Sequence, residues 1–463
     1  MQEDRALADS ITPPISPYDV GSGQSVLVTG GAGYIGSRLG AYVDDCGLAV
    51  PLSGGVHMAI QPIKFTEFGH AEGNVNGSAG AASDRTFISD LFGRASVQAD
   101  LERNSAVMAG RRVLITGAAG SIGRELVRQV SQLGPEIIFG LDMNESDLYD
   151  LSYEISSLGG ASEFRPVVAN ITNHAAIRAI LRRSQVDVIF HAAAYKHVPL
   201  MEEYPTEAVT VNAIASYHLA RSAAAEGVQR LVLVSTDKAV RPTSVMGASK
   251  RLAELLIRSV SVETGLSACA VRFGNVFASR GSVIPLFERQ IAAGGPITIT
   301  HPDMKRYFMT IGEAAGLIIQ AGAFGDDHVI YMLDMGEEVA IKDVAMDLIR
   351  MHGLRVGTDI EITYIGTRPG EKLSESLSLD YELAYPTSHP KIRILREGSD
   401  APTRGYDPSK LLAWLGSVCA DEEPENVRAA IHHAICVVDD SIAPPVSELE
   451  PVMPAGTYFR PSI

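Results

Sequence analysis

The sequence predicts an α/β protein, a doubly wound parallel sheet with a smaller C-terminal α/β lobe for substrate. Three observations carry that expectation. A glycine-rich turn at Gly117, Gly120 and Gly123 stands between an apolar run and a helical pattern. Apolar runs and helical patterns then alternate as far as residue 280, beyond which the text becomes mixed. In order, 137–141, 186–190, 231–234 and 268–271 are short and nearly all apolar, as strands covered on both faces must be. Between them, 123–133, 175–183, 208–226 and 249–264 repeat apolar residues at helical spacing. Alternation of this kind builds a parallel sheet with helices on both faces. The expected organisation is a disordered tail (1–20), a short Gly-rich partial nucleotide-fold segment (21–85) and a lead-in helix (86–104). A nucleotide-binding domain (105–290), a substrate lobe (291–420) and a terminal helix with a tail (421–463) follow.

Composition excludes several classes. Lys+Arg 39 against Asp+Glu 55 gives a net charge of -16, which argues against nonspecific nucleic-acid binding but leaves room for an anion held by a few local Arg and Lys. Cys46, Cys269, Cys419 and Cys436 are scattered and form no ligand spacing, so neither a disulfide framework nor a metal site is expected. The first residues lack a basic-then-apolar leader, and no apolar run is long enough to span a bilayer. A cytoplasmic chain without an integral membrane segment is expected.

The turn at Val113-Leu-Ile-Thr-Gly117-Ala-Ala-Gly120-Ser-Ile-Gly123 has the context that gives such a motif meaning, a strand before it and a helix after it. Gly117 permits the tight turn, Gly120 lets backbone approach a pyrophosphate, and Gly123 allows close helix packing. The helix N-terminus offers its unpaired N–H groups to the anion. Asp142 ends the next strand, where a carboxylate accepts from both ribose hydroxyls and repels a 2′-phosphate. The expectation is a Rossmann domain binding NAD rather than NADP. A similar run at Gly30, Gly33 and Gly36 lacks the later strands and the acid, and reads as a structural βα piece.

The chemistry is concentrated in Ser235-Thr-Asp-Lys-Ala-Val and Val245-Met-Gly-Ala-Ser-Lys-Arg251. Met246 and Lys250 lie at i and i+4 and share a helix face, but a thioether cannot exchange a proton. Proton work therefore falls to Asp237, Lys238 and Lys250, with Ser235 or Thr236 hydrogen-bonding Lys250. Lysine's ordinary value of about 10.4 has to fall before it serves as a base near neutrality. Standing alone, Asp237-Lys238 would be read as a surface ion pair after a strand; beside these neighbours that explanation weakens.

Those segments are joined by His191-Ala-Ala-Ala-Tyr195-Lys-His197, Arg272-Phe-Gly-Asn275-Val, Gly281-Ser-Val-Ile-Pro-Leu-Phe287, Arg306-Tyr-Phe-Met-Thr310 and Arg368-Pro-Gly-Glu-Lys372. Together the text resembles the nucleotide-sugar 4,6-dehydratases of the extended short-chain dehydrogenase/reductase superfamily. More narrowly it resembles the CapD-like UDP-N-acetylglucosamine 4,6-dehydratases that carry Met in place of Tyr, over about residues 88–395. The resemblance implies that Asp237 is the acid and Lys238 the base for water loss after C4 oxidation. It implies that Ser121, Ile122, Asn170, Ile171, Ala192, Ala193, Tyr195, Asn212 and Lys250 complete the NAD site. Arg306 and Arg368 become diphosphate clamps, Asn275 reaches the diphosphate or sugar, Ser282 and Val283 sit on the strip against uridine, and Glu371 binds its ribose. Lys196 and His197 border the substrate, the histidine as a positioning group rather than an acid. Phe277 and Arg280 depart from the family's small residues and are expected to reshape the sugar pocket.

The leading expectation is a UDP-N-acetylglucosamine 4,6-dehydratase, or one for a close UDP-hexose. A C4 epimerase and a 5,6-dehydratase stay open, as does a non-catalytic NAD sensor. A homo-oligomer packing through the helices at 208–226 and 249–264 is expected by resemblance.

Overall fold

The computed structural model describes residues 101–159, 162–398, 407–420 and 423–438, all within the unit Val75–Ile463. The expected tails, the first glycine run and most of the lead-in segment lie outside the described residues. A helix α1 (Leu101–Met108) leads into β1 (Arg112–Thr116), α2 (Ser121–Ser131), β2 (Ile137–Asp142), α3 (Glu145–Ser157), β3 (Glu163–Val168), α4 (His174–Ser184) and β4 (Val188–His191). Then come α5 (Val198–Glu203), α6 (Pro205–Ala208), a π-helical turn (Val209–Ile214), α7 (Ala215–Ala225), β5 (Arg230–Val234), a 3-10 turn (Asp237–Ala239), α8 (Val245–Thr264) and β6 (Ser267–Arg272). The rest of the chain supplies β7 (Asn275–Val276), α9 (Val283–Ala292), β8 (Ile297–Ile299), β9 (Lys305–Arg306), β10 (Phe308–Met309), α10 (Ile311–Phe324), β11 (Val329–Leu333) and β12 (Val339–Ala340). It ends with α11 (Ile341–Met351), β13 (Ile362–Tyr364), β14 (Glu382–Pro386), β15 (Ile392–Glu397), α12 (Pro408–Ala420) and α13 (Pro424–Val438).

The main sheet runs β14-β15-β11-β6-β5-β4-β1-β2-β3, parallel from β3 to β11, with β15 and β14 added antiparallel. Its central strands are buried on both faces, as the apolar runs require. In β1, Leu114 faces one core cluster with α4, α7 and α8, while Val113 and Ile115 face another with α2, α3 and α10. Chain order reverses between β1 and β4, which opens a crevice at their carboxyl ends.

Four expectations differ from the structure. The helix read at 249–264 begins a turn earlier, because the Ser244 hydroxyl accepts from the Gly247 N–H and caps it. The helix read at 208–226 is broken by the π-helical turn that carries Asn212. The 291–420 lobe is not continuous. A small third core joins α9, β8 and α11, but α10 packs on the main sheet and β11, β14 and β15 belong to it. Strand β11 and helix α10 are as apolar as the earlier elements, so they complete the sheet and its cover instead of standing apart. Finally, α12 and α13 place Leu411, Leu415, Val427, Ile431 and Ile435 in the core shared with α7 and α8. The helices expected as an oligomer surface are thus largely covered by their own chain.

Candidate active site

The glycine turn is built for close approach. Gly117 has φ +67°, and a Cβ there would lie 2.6 Å from the Ala193 nitrogen. At Gly123 a Cβ would meet the Gly117 carbonyl oxygen at 2.0 Å. Gly120 is the N-cap of α2, so Ser121 and Ile122 form its first turn beside the crevice. Asp142 accepts from the backbone N–H groups of Ala119 and Asn144, both at 3.0 Å, which holds its carboxylate against the turn. These residues fit a dinucleotide: side-chain-free backbone where a pyrophosphate would lie and an acid at the end of β2. The Asn170 side-chain oxygen accepts from the Thr172 N–H and hydroxyl, which leaves its NH₂ as the group to offer a ligand, with buried Ile171 beside it.

Beneath the inner end of the crevice lies a polar relay. Thr116 and His191 are 2.7 Å apart, His191 and Ser216 2.8 Å, and Ala193 donates to Thr116. Burial, with Lys250 nearby, lowers His191 to about 3, so it is a neutral connector. The π-helical turn directs Asn212 back to bridge Tyr195, accepting from its N–H and donating to its carbonyl, and to donate to Ser249. Asn212 therefore shapes the strand-end loop with Ala192, Ala193 and Tyr195, rather than presenting a free amide.

Beyond the end of β5, Asp237 is fully buried. Its Oδ1 accepts from Thr236 Oγ1 and from Lys238 Nζ, both at 2.9 Å. Its Oδ2 is buried without a hydrogen-bond partner and lies over Gly274, where a Cβ would stand 3.1 Å away. Lys238 Nζ also donates to Asn275 Oδ1 at 3.1 Å and stands 3.8 Å from Glu375. On α8, Met246 is buried and Lys250 is 5% exposed. Burial lowers Lys250 to about 8 against the opposing pull of Glu254.

Ser235 is elsewhere engaged. Its hydroxyl donates to Glu254 at 2.6 Å, inside a buried network where Arg272 bridges Glu254 and Glu382 and Arg251 joins both acids. Thr236 likewise spends its proton on Asp237, so the expected hydroxyl link to Lys250 is replaced by these two bonds.

A cavity of about 240 Å³ brings together Lys196, His197, Asn275, Ser282, Val283, Arg306, Arg368 and Glu371 with Lys238. His197 packs against Gly281 (φ +69°), where a Cβ would stand 2.5 Å from the ring. Burial, then Lys196, lowers that histidine, which suits a neutral positioning group. Ser282 Oγ is buried without a partner. Arg306 spends its guanidinium on the carbonyls of Lys305, Lys372 and Leu373, and so braces the 368–373 segment instead of standing free as a clamp. Arg368 is exposed at the cavity with no partner for its guanidinium among the described residues. Phe277 and Arg280 do not line the cavity. Phe277 enters the third core, and Arg280 donates through its N–H to Ser121 Oγ (3.1 Å) and through its guanidinium to Asp147 (2.6 and 3.2 Å). The 277–283 strap therefore links the cavity to the first turn of α2.

Glu375 and Glu254 escape sequence reasoning. Nothing local marks a buried acid; the only signal is Lys372, the last residue of the arginine motif, three positions before Glu375.

Fold and site together define an extended short-chain dehydrogenase/reductase. The chain belongs to the polysaccharide biosynthesis protein family, whose model matches residues 113–397, and is CapD-like within it. It is 47% identical over 292 residues to the capsular polysaccharide biosynthesis protein CapD of Staphylococcus aureus, covering 63% of this chain and 49% of that protein. The chain thus spans about half the length of that relative. The UDP-glucose 4-epimerase of Rickettsia canadensis is 33% identical over 287 residues, 59% of this chain and 79% of that protein. Among solved structures, Pen from Bacillus thuringiensis matches with a TM-score of 0.58 and 29% identity, covering 67% of this chain and 98% of that one. No described helix is long and apolar enough to cross a membrane.

Proposed function

We propose that the chain is a nucleotide-sugar-modifying enzyme, and specifically a 4,6-dehydratase of UDP-N-acetylglucosamine or a close UDP-hexose that uses NAD. The observation that carries this reading is the buried Asp237 carboxyl, one oxygen unpartnered and the other bonded to Lys238 at the cavity wall. The Gly117–Gly120–Gly123 turn and Asp142 would hold NAD, which would supply a reversible hydride acceptor, for oxidation at C4 and reduction at C6. Lys250, in its amine form, accepts the O4 proton. The C4 ketone acidifies C5. Lys238 takes the C5 proton, C5=C6 forms, the C6–O bond breaks, and O6 leaves as water with the proton of Asp237. Lys238 returns its proton to C5, and the proton from O4 restores Asp237, so the cycle balances. Lys238 and Asp237 become base and acid by one transfer along their 2.9 Å bond. The exposed Arg368 fits the diphosphate, and Glu371 the uridine ribose.

An epimerase shares the C4 oxidation, and a relative carries that name. It needs no acid–base pair for expelling water, which favours the dehydratase here. The test is incubation of purified protein with UDP-N-acetylglucosamine and NMR of the product. Loss of one water with a new C6 methyl supports the reading. An isobaric C4 epimer replaces it with an epimerase, an exocyclic alkene with a 5,6-dehydratase, and unchanged sugar over bound NAD with a sensor.

A further inference from the structure

Glu375 lies outside every motif that marked the site, yet it is 5% exposed and lines the same cavity as Lys238. Its Oε2 accepts from Lys372 Nζ at 3.1 Å, and Lys372 also donates to the Val240 carbonyl at 2.8 Å. Its backbone N–H donates to Glu338 at 3.2 Å, so the acid is pinned from both ends. Its Oε1 is 3.8 Å from Lys238 Nζ. That separation is too long for a hydrogen bond but short enough for charge to act.

We propose that Glu375 is a positioning residue for Lys238, holding a fixed negative charge beside the amine so that the ammonium formed by uptake of the C5 proton is stabilised. The proposal rests on the assignment of Lys238 as the base. Once its proton has passed to Asp237, the neutral amine keeps its N–H bond to Asn275 and, as the Asp237 hydroxyl turns to the leaving oxygen, offers its lone pair to C5. Glu375 adds little to that form. Once Lys238 carries the proton, the charge opposite it counts fully, and it counts while C5–H is breaking. An ion pair made only for stability would be complete with Lys372. Turning the second oxygen of a buried acid toward the reacting amine is what the pairing with Lys372 leaves unexplained.

The groups around this acid and amine include Asp237, Lys372, Glu338, the Tyr307 phenol, raised by burial and then by Glu338 and Asp237, and the Arg306 guanidinium, which braces the 372–373 carbonyls. Removing the Glu375 charge leaves a less negative surround, which stabilises the Lys238 ammonium less. Glu375→Gln is expected to lower kcat about tenfold to a hundredfold with KM within about twofold, and to move the whole pH–rate bell to lower pH. Glu375→Asp restores part of kcat and brings the bell back toward its wild-type position. Lys372→Met, which strips the acid of its other partner, moves the bell to higher pH and serves if the Gln variant fails to fold. A Gln variant whose kcat falls while its bell stays put, or one that is fully active, overturns the role of Glu375. A wild-type enzyme that releases an epimer fails the functional reading first, before any variant is compared, and this proposal falls with it.

Discussion

Lys250 is the residue whose environment speaks most directly to the first chemical step. With Met246 unable to carry a proton, the proposed mechanism gives that proton to the amine, and burial brings Lys250 to about 8. Below that pH the side chain is an ammonium and cannot accept; above it the amine is free to do so. The rate of C4 oxidation, followed as reduced-cofactor absorbance in a single turnover, is therefore expected to rise as pH passes through about 8. Lys250→Met should abolish that rise. A rate that is flat or falling across the window removes Lys250 from the role. The contrast with His191 is instructive. Burial holds it neutral, the charge of the same lysine adds to that, and it is engaged on both ring nitrogens by Thr116 and Ser216.

At the scale of elements, the strap at 277–283 has two faces. Gly281 and Ser282 border the cavity, while Arg280 reaches across to Ser121 on α2 and Asp147 on α3. Its bonds reach the first turns of α2 and α3, beside the crevice between β1 and β4. A 4,6-dehydratase, as proposed, would regenerate its own NAD and gain nothing from releasing it. Arg280→Ala should thus speed exchange of bound for labelled NAD by about tenfold, the effect of losing roughly 1.4 kcal/mol of closure, without changing the product. Filter retention measures it; an unchanged exchange rate would show that the strap does not close the crevice.

This strap also marks where sequence reading stops. Gly117, Gly120, Gly123 and Asp142 are legible because each answers a local geometric demand. The eight predicted substrate residues can be gathered because several motifs, taken together, resemble one family. Arg280 misleads because its partner, Asp147, is distant in sequence and a guanidinium can swing to either side of a loop. Ser235 misleads similarly: its neighbours in the chain point to catalysis, but its hydroxyl turns inward to Glu254. Edge strand β3, with Pro166 and mostly exposed positions, has too little apolar text to announce itself.

Across the whole molecule, Arg272 ties these parts together. Fully buried at the end of β6, it bonds to Glu254 on α8 and to Glu382 at the start of β14, with Arg251 beside them and Tyr381 on Arg251. Burial alone would raise Glu254, but Arg272, Arg251 and Ser235 hold it down at about 2. The network anchors the antiparallel edge of the sheet to the helix that carries Lys250. Two cations balance two anions, so Glu382→Gln leaves a buried charge uncompensated. It is expected to cost about 3–5 kcal/mol in denaturant unfolding. A loss below about 1 kcal/mol would show that the network is solvated or dispensable. The covering of α7 and α8 by α12 and α13 belongs to the same scale, because it ties the C-terminal helices to the core beside the candidate active site.

The most direct test of the account is a turnover in D₂O followed by NMR at C5, comparing wild type with Lys238→Ala. Wild type is expected to give a C6-methyl product carrying deuterium at C5. The variant should form reduced cofactor slowly, expel no water and return sugar without deuterium at that carbon. Full water loss by Lys238→Ala, with C5 labelled as in wild type, would contradict the claim that the Asp237–Lys238 pair drives the elimination.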